Sequence, residues 1–238
     1  MPRWKSCSEK SAIRKTSDDH MMTTPGPDPI DGLGRFQALW QRCLIPGTDD
    51  YSDSIYQRLI TAYGEAHRHY HTIAHISHCL QQFDLCKAQL ANPDSVELSI
   101  WFHDVIYQCG TADNEKRSAE LYRELAQNVH KNDFGQLVDD MIIATIHDKT
   151  TPARIDEQYM VDIDLSSFGL SWDAFLRDSR NLRLESSHLS DSDYHQRQGI
   201  FRKGLLSRER FFYTDYFYQQ FETQARDNLE RYFKQIPE

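Results

Sequence analysis

From residue 31 to the C-terminus, apolar residues return every three or four positions, and strand-type alternation never lasts more than a few residues. A three-to-four spacing is that of a helix with one buried face, whereas a half-buried strand needs a period of two. The pattern therefore predicts an all-α chain, a single domain over 31–238 built as a bundle of roughly eight to ten helices. Phe36, Leu39, Trp40, Cys43 and Leu44 mark a first helix, closed by Pro46-Gly47. Ile55, Leu59, Ile60 and Tyr63 mark a second, with Asp53 as a possible cap and a stop near Gly64. Ile73, Ile76, Leu80 and Phe83 define a third. The stretch 96–107 is apolar nearly all round, which predicts one fully buried helix. Asp113 or Asn114 would cap the next helix, and a further one over Phe134–Thr145 would close at Lys149-Thr150-Thr151-Pro152. Residues 155–169 end at Gly169, after which Ser171 caps a helix with Trp172, Phe175 and Leu182. Two aromatic-rich helices follow, around 194–211 and 215–235.

Residues 1–30 carry Ser, Thr, Lys, Asp and Pro with little to bury, and are expected to be a disordered extension. Lys+Arg 27 against Asp+Glu 36 gives a net charge of −9, which argues against a partner that is a nucleic-acid polymer. A nucleotide held by a metal and one or two arginines remains compatible with that charge. No run of about 18 apolar residues occurs, so no membrane span is expected, nor does the N-terminus show the apolar stretch of a secretory signal. The five cysteines are an odd number without a CxxC pair, which fits a reducing cytoplasm and no structural disulfide.

Histidine is the unusual residue. Of 11, five (His67, His69, His71, His75, His78) crowd into one short stretch. His71 and His75 are four apart, hence on one helical face about a turn apart; one could bind a metal while the other stands over a substrate. His67, His69 and His78 read as a surface turn. Composition alone yields about one His-Asp dipeptide, so the pairs His103-Asp104 and His147-Asp148 mean nothing as dipeptides. Context separates them. His103-Asp104 lies inside Ile100-Trp101-Phe102-His103-Asp104-Val105-Ile106-Tyr107, where burial costs several kcal/mol unless the two groups are paired or metal-bound. His147-Asp148 sits at a helix end beside Lys149, where a solvated or capping role is easy. In Val161-Asp162-Ile163-Asp164-Leu165 either aspartate could be a cap. The order is nevertheless His, then His-Asp about 30 residues on, then Asp about 60 further. Imidazole and carboxylate ligands of this kind suit a divalent Mg, Mn, Fe or Zn ion.

With these motifs assembled, the chain resembles the HD superfamily of metal-dependent phosphohydrolases, defined by H…HD…D on an all-α fold. Within it the closer likeness is to the group known as predicted metal-dependent HD phosphohydrolases. The resemblance runs from about residue 35 onward, through RHYHTIAHI (68–76), WFHDVIY (101–107), DNEKRSAEL (113–121), MIIATIHD (141–148), VDIDLSSFG (161–169) and ARDNLERYF (225–233). It implies His75, His103, Asp104 and Asp164 as metal ligands, with Asp162 as the alternative to Asp164 and His147 as a possible member of a second metal site. YHTIAH is also similar to the YHNxxH segment of cyclic-nucleotide phosphodiesterases, which casts His71 as general acid and, with Asp104, as a catalytic residue. Asp113 and Asn114 would reach the substrate or its water at the mouth of the site. Arg68, with Arg202, Arg208 and Arg226 behind it, is a candidate phosphate clamp.

The activity so implied is hydrolysis of a phosphoester or phosphoanhydride in a small, nucleotide-like molecule. Two other classes compete: a di-iron oxygenase on the same helices, for which His147 is the obvious extra ligand, and a non-catalytic module stabilised by its metal.

Overall fold

Ten α-helices make up the described residues, 32–147 and 151–235, of the computed structural model. The extension expected over 1–30, Asp148, and the closing residues Lys149 and Thr150 lie outside them. The helices are α1 (Gly32–Cys43), α2 (Ser52–Tyr63), α3 (Ile73–Cys86), α4 (Pro93–Phe102), α5 (Asn114–Ala126) and α6 (Asn132–Ala144). They continue with α7 (Ile155–Leu165), α8 (Trp172–Glu185), α9 (Asp191–Leu206) and α10 (Asp215–Gln235). No strand occurs among the described residues beyond an isolated bridge between Leu44 and His130. No helix among them is long and apolar enough to cross a membrane.

The core forms around α4, which packs against α1, α3, α6 and α7. Every residue from Ser95 to Phe102 is buried, so α4 has no solvent face. Phe36, Trp40, Trp101 and Phe102 form one aromatic cluster, with ring centroids 5.6–6.4 Å apart, the offset and edge-on spacing that aromatic quadrupoles favour.

The expected helix over 96–107 is corrected here: α4 ends at Phe102, and His103 and Asp104 lie in the turn beyond it. Composition gives no reason to stop there; other parts of the chain do. Tyr63 Oη donates to the Trp101 carbonyl at 2.9 Å. The Arg68 guanidinium donates to the carbonyls of Asp104 at 2.6 Å and Val105 at 2.9 Å. Carbonyls orphaned at a helix end thus find donors in side chains of a distant segment.

Buried carboxylates fasten several loops in the same way. Asp156 accepts the backbone N–H groups of Ala91 and Asn92, and Glu222 those of Phe211 and Phe212. Asp162 accepts from Tyr213 N, Thr214 N and the Thr214 hydroxyl, at 2.7–2.9 Å, and so anchors the start of α10. Farther along α10, Asn228 Nδ2 donates to the carbonyls of Phe168 and Leu170, both at 2.8 Å. That clamp draws α10 against the short 3-10 turn Ser166–Gly169, where a Cβ on Gly169 would come 2.5 Å from that of Phe221. Only glycine fits so close an approach.

Candidate metal centre

Three segments bring the site together. Thr72, extended at φ −117° and ψ 178°, caps α3 by accepting from Ala74 N, so His75 falls in the first turn of the helix. His103 and Asp104 come from the turn after α4, and Asp164 from the last turn of α7.

Their donor atoms converge. His75 Nε2 lies 3.3 Å from His103 Nε2, 3.0 Å from Asp164 Oδ1 and 3.6 Å from Asp104 Oδ2. His103 Nε2 lies 3.1 Å from Asp104 Oδ2 and 3.5 Å from Asp164 Oδ1. Ligands bonded at about 2.0–2.2 Å to one ion are separated by roughly 3.0–3.5 Å at right-angled or tetrahedral spacing, so the two histidines with either aspartate are spaced as the ligands of a divalent ion would be. The tautomer of His103 fits as well. Its Nδ1 lies 3.0 Å from the Ile100 carbonyl, which only accepts, so Nδ1 carries the hydrogen and Nε2 turns its lone pair inward.

Charge supports the same conclusion. Burial acts against the charged form of His103, yet Asp104 and Asp164 hold its imidazole well above the ordinary value. Burial likewise raises the two carboxyls, and the imidazoles outweigh it: His103 and His71 lower Asp104, while hydrogen bonds from His103, His147 and His75 lower Asp164. Two buried carboxylates here demand positive charge beside them, which protonated imidazoles or a cation can supply.

The aspartates of VDIDL separate cleanly. Residues two apart on a helix point about 200° from each other. Asp164 therefore faces the histidines while Asp162 faces α10, as its bonds to residues 213 and 214 require. Burial pushes the Asp162 carboxyl up to about 7, against three hydrogen bonds that pull it down. Of the two aspartates, Asp164 is thus the one brought to the histidines, and Asp162, the alternative, is turned away from them.

His147 also departs from expectation. Rather than being solvated, it lends Nε2 to Asp164 Oδ2 at 2.7 Å, so Asp164 faces His75 and His103 with one oxygen and His147 with the other. Its backbone is left-handed at φ 55°, an uncommon state for a residue with a side chain.

His71 lies before α3, not on its face, because Thr72 breaks the helix between the two histidines. What holds it is Glu185, at the end of α8. Glu185 Oε1 accepts the backbone N–H groups of His69, Tyr70 and His71 at 2.7–2.9 Å, and Oε2 lies 2.7 Å from His71 Nδ1. Tyr107 stacks on the imidazole at a centroid distance of 4.0 Å. Burial lowers the pKa of His71, but Asp104 and Glu185 more than offset it and leave the value raised above 6.5.

Cys79 lies 3.7 Å from His75 Nε2 and 3.9 Å from Nδ1. Near-equal distances to both nitrogens put its sulfur off the lone-pair axis of either, although the sulfur, His75 and Asp164 also present donor atoms within 4.8 Å of one another, a second group that could hold a metal. His78, assigned to a surface turn, instead bonds Ser166 Oγ at 2.8 Å, and burial lowers its pKa to about 4.

A cavity of about 300 Å³ opens beside His71, Asp164 and His147, with Tyr107, Phe168 and Phe201 among its walls. Arg68 does not reach it as a clamp. Its buried guanidinium is spent on Glu65 and on the carbonyls of His71, Asp104 and Val105, so it holds the turn that carries His103 and Asp104. Asn114 lines the cavity but ties its own loop, bonding Gln108 N and O and the Thr111 hydroxyl, and Asp113 is exposed outside the lining. Arg202 is buried over the Tyr232 ring, Arg208 lies over Tyr213, and Arg226 bonds Glu222 and the carbonyls of residues 206, 208 and 209. The arginine that does line the cavity is Arg197, which sequence reasoning passed over, as it passed over Glu185 as the partner of His71.

Comparison of the chain with protein-family models, with curated proteins and with solved structures finds no match.

Proposed function

We propose that this chain is a metal-dependent phosphohydrolase of the HD type, cleaving a phosphoester or phosphoanhydride bond in a small, nucleotide-like molecule. The observation that carries the proposal is the meeting of His75 and His103 with Asp104 on one side and Asp164 on the other, each His–His and His–Asp separation lying at 3.0–3.6 Å, next to a cavity that His71 also lines. A divalent ion held by these four residues would supply Lewis-acid polarisation of a phosphoryl group and a more acidic water. The protein's own groups do the rest. Glu185 fixes Nδ1 of His71 as the hydrogen-bearing nitrogen on its side, leaving Nε2 to hold a proton for the departing oxygen. Tyr107 keeps the imidazole plane in place. Arg68 holds the turn that presents His103 and Asp104. A cytoplasmic setting agrees with the free thiols of Cys43, Cys79, Cys86 and Cys109.

The test is metal analysis of purified protein, followed by a phosphate-release screen over nucleotides with Mg²⁺, Mn²⁺, Fe²⁺ and Co²⁺. Expected is one tightly held divalent ion per chain and turnover of at least one substrate class. Metal retained without turnover of any substrate overturns the enzyme in favour of a metal-stabilised module. One observation favours a second reading, a di-iron oxygenase: His147 on the second oxygen of Asp164 could join a second ion. Two irons per chain without phosphate release would decide for it.

A further inference from the structure

The cavity has two chemically different ends. His71, His147 and Asp164 stand at the inner one. One wall is a single face of α9, formed by Tyr194, Arg197, Gln198 and Phe201 at spacings of three and four residues. Phe201 belongs to the inner end, since its ring centroid lies 6.1 Å from that of His147. Four residues of helix rise by about 6 Å, so Arg197 stands one turn farther out. It is exposed, and among the described residues it is the only Arg or Lys lining the cavity. No described carboxylate bonds to it, whereas Arg183 on α8 is held by Asp191 at 2.7 Å. Beside the His/Asp cluster the lining carries the rings of Tyr107, which stacks on His71, and of Phe201 and Phe168, with polar Thr111, Asn114 and Gln198 among the rest of the walls. A planar fork of donors in a cavity with rings at its His/Asp end suits carboxylate or phosphate oxygens of an aromatic molecule.

We infer that the substrate is an aromatic phosphate compound with a second anionic group at the end opposite the scissile phosphoryl, and that Arg197 selects for that group. The inference rests on the phosphohydrolase reading, which sets the inner end as the phosphoryl end. Arg197 then discriminates among substrates without touching the reacting atoms.

Three phosphonates that resist hydrolysis test this by calorimetric titration of Mn²⁺-equilibrated protein: benzylphosphonate, 4-(phosphonomethyl)benzoate and 1,4-bis(phosphonomethyl)benzene. At least one of the doubly anionic probes should bind about tenfold tighter than benzylphosphonate, the worth of one charge-assisted contact. Arg197→Ala should erase that difference and leave benzylphosphonate unchanged, while Arg197→Lys keeps part of it. The inference is overturned if neither doubly anionic probe gains over benzylphosphonate, or if Arg197→Ala weakens all three alike, which would put the arginine on the scissile group. Failure of every probe to bind is a different result: it sinks the phosphoryl site itself, and the inference with it.

Discussion

Glu185 holds His71 twice: its Oε2 lies 2.7 Å from the imidazole Nδ1, and its Oε1 accepts the His71 backbone N–H at 2.9 Å. One carboxylate therefore fixes both the ring and the segment that carries it. The fold thus places the His71 imidazole next to the His/Asp cluster without a helix under it. Burial raises the Glu185 carboxyl, but its bonds to His71 and to the backbone outweigh this and bring it down to about 2. The ionised form is therefore the favoured one.

A pH profile follows from that pair. A general acid works only while protonated, so activity on a substrate with a poor leaving group is lost as pH rises through the pKa of His71. Burial would lower that pKa below 6.5, and Asp104 and Glu185 raise it above. A cation held at the cluster would neutralise Asp104 and Asp164, which would leave Glu185 as the group sustaining the shift. Glu185→Gln should therefore move the alkaline limb of kcat to lower pH while metal content is kept. A profile that stays in place in this variant removes His71 from the role of acid.

Arg68 should matter to stability rather than to phosphate binding. Its side chain is fully buried, and its loss leaves the carbonyls of His71, Asp104 and Val105 without donors. Each such group costs about 1–3 kcal/mol, so Arg68→Ala should lower the melting temperature markedly and weaken metal binding through the displaced turn. Thermal unfolding and metal titration check this. An Arg68→Ala protein of unchanged stability that binds substrate less well would return the residue to the clamp role.

The helices and the donor set were legible in the chain for physical reasons. Ser171 accepts from Ala174 N and opens α8, and Gly64 closes α2, because such signals act within a turn of helix. His103 and Asp104 stand out by chemistry, since buried polar groups in an apolar run need a partner, whereas His75 and Asp164 were singled out as ligands by the resemblance. What stayed hidden depends on distant segments. The end of α4 is set by Tyr63 and Arg68, which no local pattern in 96–107 reveals. Glu185 lies 114 residues from His71 in sequence, and no local pattern ties the two together. On α9, Arg197 faces the cavity and Arg202 the core, a difference of helical register that charge alone does not disclose.

Register also separates the two aspartates of α7. Asp164→Asn should lose most of the bound metal, because it removes a ligand charge between His75 and His103. Asp162→Asn should keep the metal. It sets an amide N–H₂ against a backbone or hydroxyl donor at residues 213–214, a destabilisation of about 1–3 kcal/mol. Metal analysis beside denaturant unfolding distinguishes them, and metal loss from Asp162→Asn with retention in Asp164→Asn would reverse the assignment.

The two histidines flanking Thr72 should fail differently. His75 belongs to the four-residue cluster, so His75→Ala should empty the site of metal and abolish turnover together. His71 touches no ion in the proposed arrangement; its contacts are Glu185 and the Tyr107 ring. His71→Ala should keep its metal while kcat falls by roughly 10²–10⁴, the usual contribution of general acid–base catalysis. That loss should shrink on an ester whose leaving group, such as p-nitrophenolate, departs without a proton, because the missing acid is then not needed. Metal content separates ligand from acid, and the leaving-group dependence separates acid from mere positioning. A loss in His71→Ala that is equal for good and poor leaving groups would show that the imidazole serves to bind the substrate rather than to protonate it.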